Sequence, residues 1–260
     1  MPILRFIQRH SILTIIAVLV LVLVASYVSG YRLGAGFSII RVGTLVVENV
    51  PEGTAVYVDG AARGSGKSLP IEISLLPGNH AVIVDAKNMW PWNEIVEIRS
   101  SERTVIQPLL VGTAVAGRLL EADEKKAALA AIAAYELPSD ETPLLLSDGC
   151  LLVSVSENRI IAGPSAREGC VSPEFLCTDG SCESTIAYAP LDTLRAVIPY
   201  PNRSDALVIA LGNSLYALEI DPRDPRFFAP VLSGTEPRAA LGETDAIVVK
   251  DSDSVFELSL

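Results

Sequence analysis

From Ile12 to Tyr31 the chain runs for 20 residues without a charged side chain, and 12 of them are Leu, Ile or Val. As a helix such a run spans about 30 Å, the thickness of a bilayer's hydrocarbon core. Insertion gains roughly 0.3–0.6 kcal/mol for each of those 12 residues near the helix centre. Arg5 and Arg9 precede the run and no acidic residue occurs before Glu48. The short basic side is therefore expected to stay cytoplasmic, with the rest of the chain outside. Tyr27 and Tyr31 fall where an interfacial aromatic belt would lie. A cleaved signal peptide is the competing reading. Its apolar core is typically about 7–15 residues long, and the small-x-small candidates here, Val24-Ala25-Ser26 and Val28-Ser29-Gly30, lie inside or at the end of the run. The expected layout is a cytoplasmic N-terminus over residues 1–11, a single transmembrane helix over 12–31 and a linker over 32–42. Both readings put the bulk of the chain outside the cytoplasm, as a single-pass protein of a cell membrane or a secreted one.

Charge then sorts the partners. Three of the 20 basic residues, Arg5, Arg9 and Arg32, belong to the anchor, leaving 17 against all 31 acidic ones, a balance of −14. That body repels anionic headgroups and phosphate backbones, so nucleic acid is excluded as a partner. Lipid contact falls to the N-terminal helix alone. Only two histidines occur, His10 and His80, so no His-rich metal site and no second histidine for a triad is on offer. No cofactor or metal site is expected. His80, after Pro77-Gly78, reads as the opening of a strand.

Beyond the anchor the chain reads as mainly β. Thr44–Glu48, Thr54–Asp59, Pro70–Leu75, His80–Ala86, Glu94–Ile98 and Thr104–Val111 are short runs rich in β-branched residues. Pro51-Glu52-Gly53, Asp59-Gly60, Pro77-Gly78 and Trp90-Pro91 punctuate them as turns, the pattern of a small antiparallel sandwich. Pro51-Glu52-Gly53-Thr54, Val56-Tyr57-Val58-Asp59-Gly60, Gly64, Leu69-Pro70 and Leu76-Pro77-Gly78-Asn79-His80 follow in order, and this stretch resembles the PEGA domain. The resemblance covers residues 43–112 and implies a small extracytoplasmic β-sandwich of the bacterial or archaeal envelope, with no reaction attached. Thr54 stands where the family's alanine would be, and Asn88-Met89 where its Gly-Tyr would be.

Two features of this stretch invite sharper readings. Ala61 to Ser68 satisfies a loose phosphate-loop pattern ending in Gly66-Lys67-Ser68. A working loop needs a helix N-terminus immediately after it. Leu69-Pro70 and the strand-like Ile71–Ser74 follow instead, so a Gly/Ser-rich hairpin loop is expected. Trp90 and Trp92, flanking Pro91, form the candidate binding surface, by stacking on a sugar. Aromatic residues beside a turn more often lid a sandwich core.

From Glu121 to Leu137 the composition turns to Ala, Leu, Lys and Glu. Glu121, Asp123 and Glu124 favour a helix start and Pro138 ends it. A helical connector is therefore expected within residues 113–142. Beyond it, over 143–260, lies an internal repeat. Asp205-Ala206-Leu207-Val208-Ile209 recurs 40 residues on as Asp245-Ala246-Ile247-Val248-Val249, and Ser214–Leu218 recurs as Ser254–Leu258. Each copy reads as a hairpin with a two-residue loop, Gly212-Asn213 or Ser252-Asp253, and a looser copy spans Leu151–Ala162 around Glu157-Asn158. A hairpin recurring near this period signals propeller blades. Only two or three blades fit, whereas a closed propeller needs about four or more. The expectation is a partial, propeller-like stack with at least one open strand edge; Ser254–Leu260 is a candidate for it, and the competing reading is that this segment returns to pair with an earlier strand, as terminal strands in propellers often do.

All four cysteines, Cys150, Cys170, Cys177 and Cys182, lie in this last region. An even number outside the cytoplasm reads as disulfides, with three pairings open. Cys177 and Cys182 flank a tight Thr178-Asp179-Gly180-Ser181 turn, which would leave Cys150 for Cys170. Zinc is the rival, without Cys-x₂-Cys spacing or a neighbouring His to support it. The acid-rich turns Asp221–Asp224 and Asp251–Asp253 lack the alternating ligand set of a calcium loop.

Two functions fit. One is a noncatalytic, membrane-anchored protein of the bacterial envelope with a structural or binding role, whose partners would be an envelope protein, a glycan or a second copy. The alternative is a carboxylate-based glycan-acting enzyme, which needs only two suitably placed Asp or Glu residues. No motif singles out such a pair.

Overall fold

The fold is taken from a computed structural model. It describes residues 11–33, 38–66, 69–242 and 246–260. Lys67 and Ser68 of the phosphate-loop pattern, Asp245 of the repeat, and Arg5, Arg9 and His10 lie outside the described residues. The chain divides into two compact units, Met1–Val82 with Ile95–Pro108, and Ile83–Glu94 with Leu109–Leu260.

The first helix, α1, covers Ser11–Val28 and so stops three residues short of the predicted Tyr31. Gly30, at a φ of 82°, ends it, and its carbonyl accepts the Val42 N–H. Arg32 Nη1 donates to the carbonyls of Tyr27 and Tyr31, while its guanidinium lies 3.6 Å over the Tyr27 ring. A cation on the last carbonyls suits the negative end of a helix. The predicted linker is partly ordered: β1 (Tyr31–Leu33) pairs antiparallel with β2 (Ile39–Arg41). At 18 residues α1 is about 27 Å long. Among the described residues no helix is long and apolar enough to cross a membrane, so the transmembrane span read from the sequence is not reproduced.

Seven strands follow where a sandwich was expected. They are β3 (Gly43–Val47), β4 (Ala55–Val58), β5 (Ala61–Ser65), β6 (Ile71–Leu75), β7 (Gly78–Asp85), β8 (Trp92–Ile98) and β9 (Arg103–Ile106). One sheet has the order β6-β3-β9, with β9 parallel to β3; the other has the order β5-β4-β7-β8. The chemistry of the turns explains the register. Asp59 and Gly60 both take positive φ, the geometry of a two-residue primed turn, and Val58 pairs with Ala61 across it. Alternate residues of β6 (Ile71, Ile73, Leu75) are buried, as period-2 patterning requires. Gly64 of β5 lies so close to Ile71 and Ile73 that a Cβ there would collide with Ile71. Thr54, where the family's alanine would be, is fully buried and its hydroxyl donates to the Pro51 carbonyl at 2.7 Å. The strand β6, not a helix, follows the phosphate-loop pattern.

The second unit carries three four-stranded antiparallel sheets. β10 (Ala116–Leu119) precedes the helix α2 (Ala122–Ala134), which ends three residues before the predicted Leu137. Then come β11 (Leu144–Leu146), β12 (Leu151–Ser156), β13 (Arg159–Pro164), the short pair β14 (Cys177–Thr178) and β15 (Ser181–Cys182), and β16 (Thr185–Tyr188). They are followed by β17 (Leu194–Pro199), β18 (Ala206–Leu211), β19 (Ser214–Glu219), β20 (Phe228–Ser233), β21 (Arg238–Leu241), β22 (Ile247–Asp251) and β23 (Ser254–Ser259). The sheet orders are β11-β12-β13-β16, β17-β18-β19-β20 and β10-β23-β22-β21. The hairpins β12–β13, β18–β19 and β22–β23 close on Glu157-Asn158, Gly212-Asn213 and Ser252-Asp253, each with positive φ at its first loop residue. The first two loops lie 55 residues apart and the last two 40. The extra length of the first copy is the cysteine-bearing segment between β13 and β16.

The structure decides the terminal segment in favour of its return to an earlier strand rather than an open edge. Ser254–Ser259 is an internal strand, paired with β22 on one side and with β10 on the other. β10 lies in the stretch expected to be only a helical connector. Its four residues are exposed, and Arg118 joins it to Glu257 of β23 and to Glu124 of α2. The helix is packed, not free: Ala128 is buried with Ala240, Val248 and Val255 of the third sheet. Beyond its end, the Tyr135 hydroxyl bonds both the N–H and the C=O of Val197 at 2.8 Å. Between the first two sheets, Leu151, Val153, Ile160, Leu207, Ile209 and Leu218 share one apolar core.

Candidate functional site

Trp92 opens β8 and, as alternation dictates, faces inward; it is 2% exposed. Its indole N–H donates to Glu219 Oε1 at 2.8 Å. Trp90, two residues earlier and 36% exposed, donates its indole N–H to the Pro230 carbonyl at 3.2 Å. The structure therefore places both predicted surface residues against the sheet β17–β20. Trp92 has no open face for stacking on a sugar.

Glu219 is the residue that sequence reasoning missed. It ends β19 in an ordinary alternating strand, and nothing local marks it. Its side chain is 16% exposed, as is that of Arg203, whose Nη2 stands 4.0 Å away. Burial pushes its pKa up to about 7 from 4.5, and the charges of Asp205 and Glu94 add to that, against the opposing Trp92 bond and Arg203. Glu94, half-buried on β8, is raised as well, first by burial and then by Asp221. Asp205 and Asp221 hold their own counter-ions: Arg203 forks onto Asp205 with two bonds of 2.7 Å, and Arg223 onto Asp221 at 2.6–3.0 Å. Glu219 is thus a carboxyl that can take up or release a proton near neutrality, closed off by an indole.

His80 sits in a second polar contact, within the first unit. Its Nδ1 is 2.7 Å from Asp59 Oδ2 and its Nε2 is 2.8 Å from the Leu76 carbonyl. Burial opposes the imidazolium, but these two acceptors outweigh it and the pKa is raised above 6.5. The bond to His80 in turn lowers the pKa of Asp59. This contact ties the Asp59-Gly60 turn to the start of β7, a structural task.

All four cysteines are paired, Cys150 with Cys170 and Cys177 with Cys182. The second pair is cross-strand in the β14–β15 hairpin, whose Asp179-Gly180 turn has both φ positive. Among the described residues no group of three or more His, Cys, Asp or Glu side chains is placed to hold a metal. Asp251 instead accepts the Thr235 and Glu236 N–H groups, and Asp221 that of Arg223.

Residues 42–111 match the PEGA domain family. The chain is mainly β and disulfide-bonded, and it contains a stretch that matches the PEGA domain family. The match spans 70 of its 260 residues and leaves the three-sheet region outside it. The chain matches no curated protein.

Proposed function

We propose that this is a noncatalytic extracytoplasmic protein of the bacterial envelope, held to the membrane by its N-terminal helix and presenting its β domains for a structural or binding role. The observation that carries the reading is the pairing of all four cysteines in a chain that also carries a PEGA domain, because structural disulfides persist in oxidising compartments. The anchor is supported by the surface of α1. Twelve of its large apolar side chains, from Leu13 to Val28, are between 51% and 79% exposed. A helix apolar on every side needs an apolar surrounding. The three-sheet region is the propeller-like module of the reading, and a glycan or an envelope protein is its partner class. Alkaline extraction of membranes from cells making the full chain tests the anchor: retention in the pellet supports it, and release into the supernatant contradicts it.

A second reading, a carboxylate-based glycan-acting enzyme, is favoured by one observation, the pKa of about 7 at Glu219. It demands that Glu219→Gln abolish turnover of an envelope glycan. The burial of Trp92 over that carboxyl favours the noncatalytic reading.

A further inference from the structure

The second unit holds a cleft of about 500 Å³, a volume in the range of small-molecule sites. An edge strand of each of its three sheets reaches the cleft, through Leu144 of β11, Pro199 of β17 and Leu241 of β21. Leu137 and Pro143, between α2 and β11, complete apolar walls. Three polar side chains also line it: Tyr135, Glu136 and Thr142. Two of them are already engaged. The Tyr135 hydroxyl holds the N–H and C=O of Val197, and the Thr142 hydroxyl lies 2.9 Å from that of Ser139. Glu136 is exposed, and among the described residues its carboxylate has no ion-pair or hydrogen-bond partner. The negative end of the α2 dipole falls immediately before it, with no basic residue in the last turn as an offset. The lining contains no Lys, Arg or His. Apolar walls thus meet negative charge that has no cation of its own.

We propose that this cleft binds a small organic cation, an ammonium group on an apolar body, with the ammonium against Glu136 and the body against the leucines and prolines. An added peptide strand does not fit the same wall. The Tyr135 hydroxyl takes both backbone groups of Val197 at the edge of β17, and Pro199 has no N–H to give, so the sheet cannot be extended there. An anion is repelled by Glu136 and by a chain of net charge −11. The Tyr135 bonds also fix one wall before a ligand arrives, which lowers the ordering cost of binding. Nothing in this depends on the envelope reading.

Monodansylcadaverine, an ammonium on an apolar dansyl-pentyl body, is the probe, and its N-acetylated form is the neutral match. Both are titrated calorimetrically into the full chain in nonionic detergent, with the detergent alone as blank. The expected result is saturable binding of the charged probe, roughly two- to five-fold tighter than that of the acetylated one. Glu136→Gln should remove that preference by weakening the charged probe alone. Thr142→Lys, at an exposed position of the lining, supplies a competing ammonium and should weaken the charged probe by at least as much. No saturable binding, equal affinity for the two probes, or an unchanged affinity in Glu136→Gln overturns the proposal. Should circular dichroism show that Glu136→Gln does not fold, Thr142→Lys decides, and an unaltered affinity there is equally fatal.

Discussion

Removing the two disulfides separately should destabilise the second unit by unequal and calculable amounts. Cys150 and Cys170 are 20 residues apart, Cys177 and Cys182 only five. Loop-closure entropy makes these cross-links worth about 3 and about 2 kcal/mol respectively. Each also fixes something local. Cys177–Cys182 clips the hairpin that begins just after Leu176, a 4%-exposed member of the core between the first two sheets. Cys150–Cys170 ties the start of β12 to a loop whose Arg167 also donates to the Asp148 carbonyl. The assay is urea unfolding of Cys150→Ser/Cys170→Ser and of Cys177→Ser/Cys182→Ser, read by tryptophan emission, since both indoles belong to this unit. With a slope of about 2 kcal/mol per molar urea, the midpoints should fall by about 1.5 M and about 1 M. Free energies rather than midpoints are compared, because releasing a cross-link also raises the slope. A larger loss for the five-residue loop, or no loss in either variant, would refute the entropic reasoning.

Three further outcomes follow from the fold. Deleting Ser254–Leu260 removes the strand between β10 and β22, so the third sheet should unfold and α2 lose its seat; circular dichroism showing an intact β signal and helix would contradict the pairing. In the first unit, the raised pKa of His80 means that its bonds to Asp59 and Leu76 stabilise the fold fully below about pH 6.5 and are lost as pH rises through the folded value. The melting temperature should therefore fall on the alkaline side of that range, and His80→Asn should flatten the slope; an unaltered slope would break the assignment. Leu21→Arg, at a position 70% exposed on α1, should cost roughly 2.5–3.5 kcal/mol of insertion and shift the protein out of the membrane fraction.

What could be read from the sequence was local. The turns Asp59-Gly60, Glu157-Asn158 and Ser252-Asp253 announce themselves because only a few residues tolerate positive φ. The Cys177–Cys182 pair was legible as one of three pairings because the four-residue turn between them can bring the two thiols within bonding distance. What stayed hidden joins distant residues. Ala116–Leu119 has poor strand propensity and is a strand only because β23, some 140 residues later, offers it an edge. Glu219 looks like any polar strand residue until Trp92, 127 residues earlier, covers it. The tryptophans were noticed for their size beside a turn; burial makes Trp92 a fastening, whereas Trp90 stays 36% exposed. The end of α1 was overextended because Ser29, Gly30 and Tyr31 carry no charge, whereas backbone conformation at Gly30, not hydropathy, stops the helix.

The proposed function requires the β body to stand outside the cytoplasm on a single anchor. Treating intact cells that make the full chain with a protease that cannot cross the membrane tests it most directly. The expected result is digestion of everything beyond about Arg32, leaving a short membrane-bound fragment that still contains Arg5. A full-length protein that survives until the membrane is broken, or a mature chain beginning near Ser29, would contradict it.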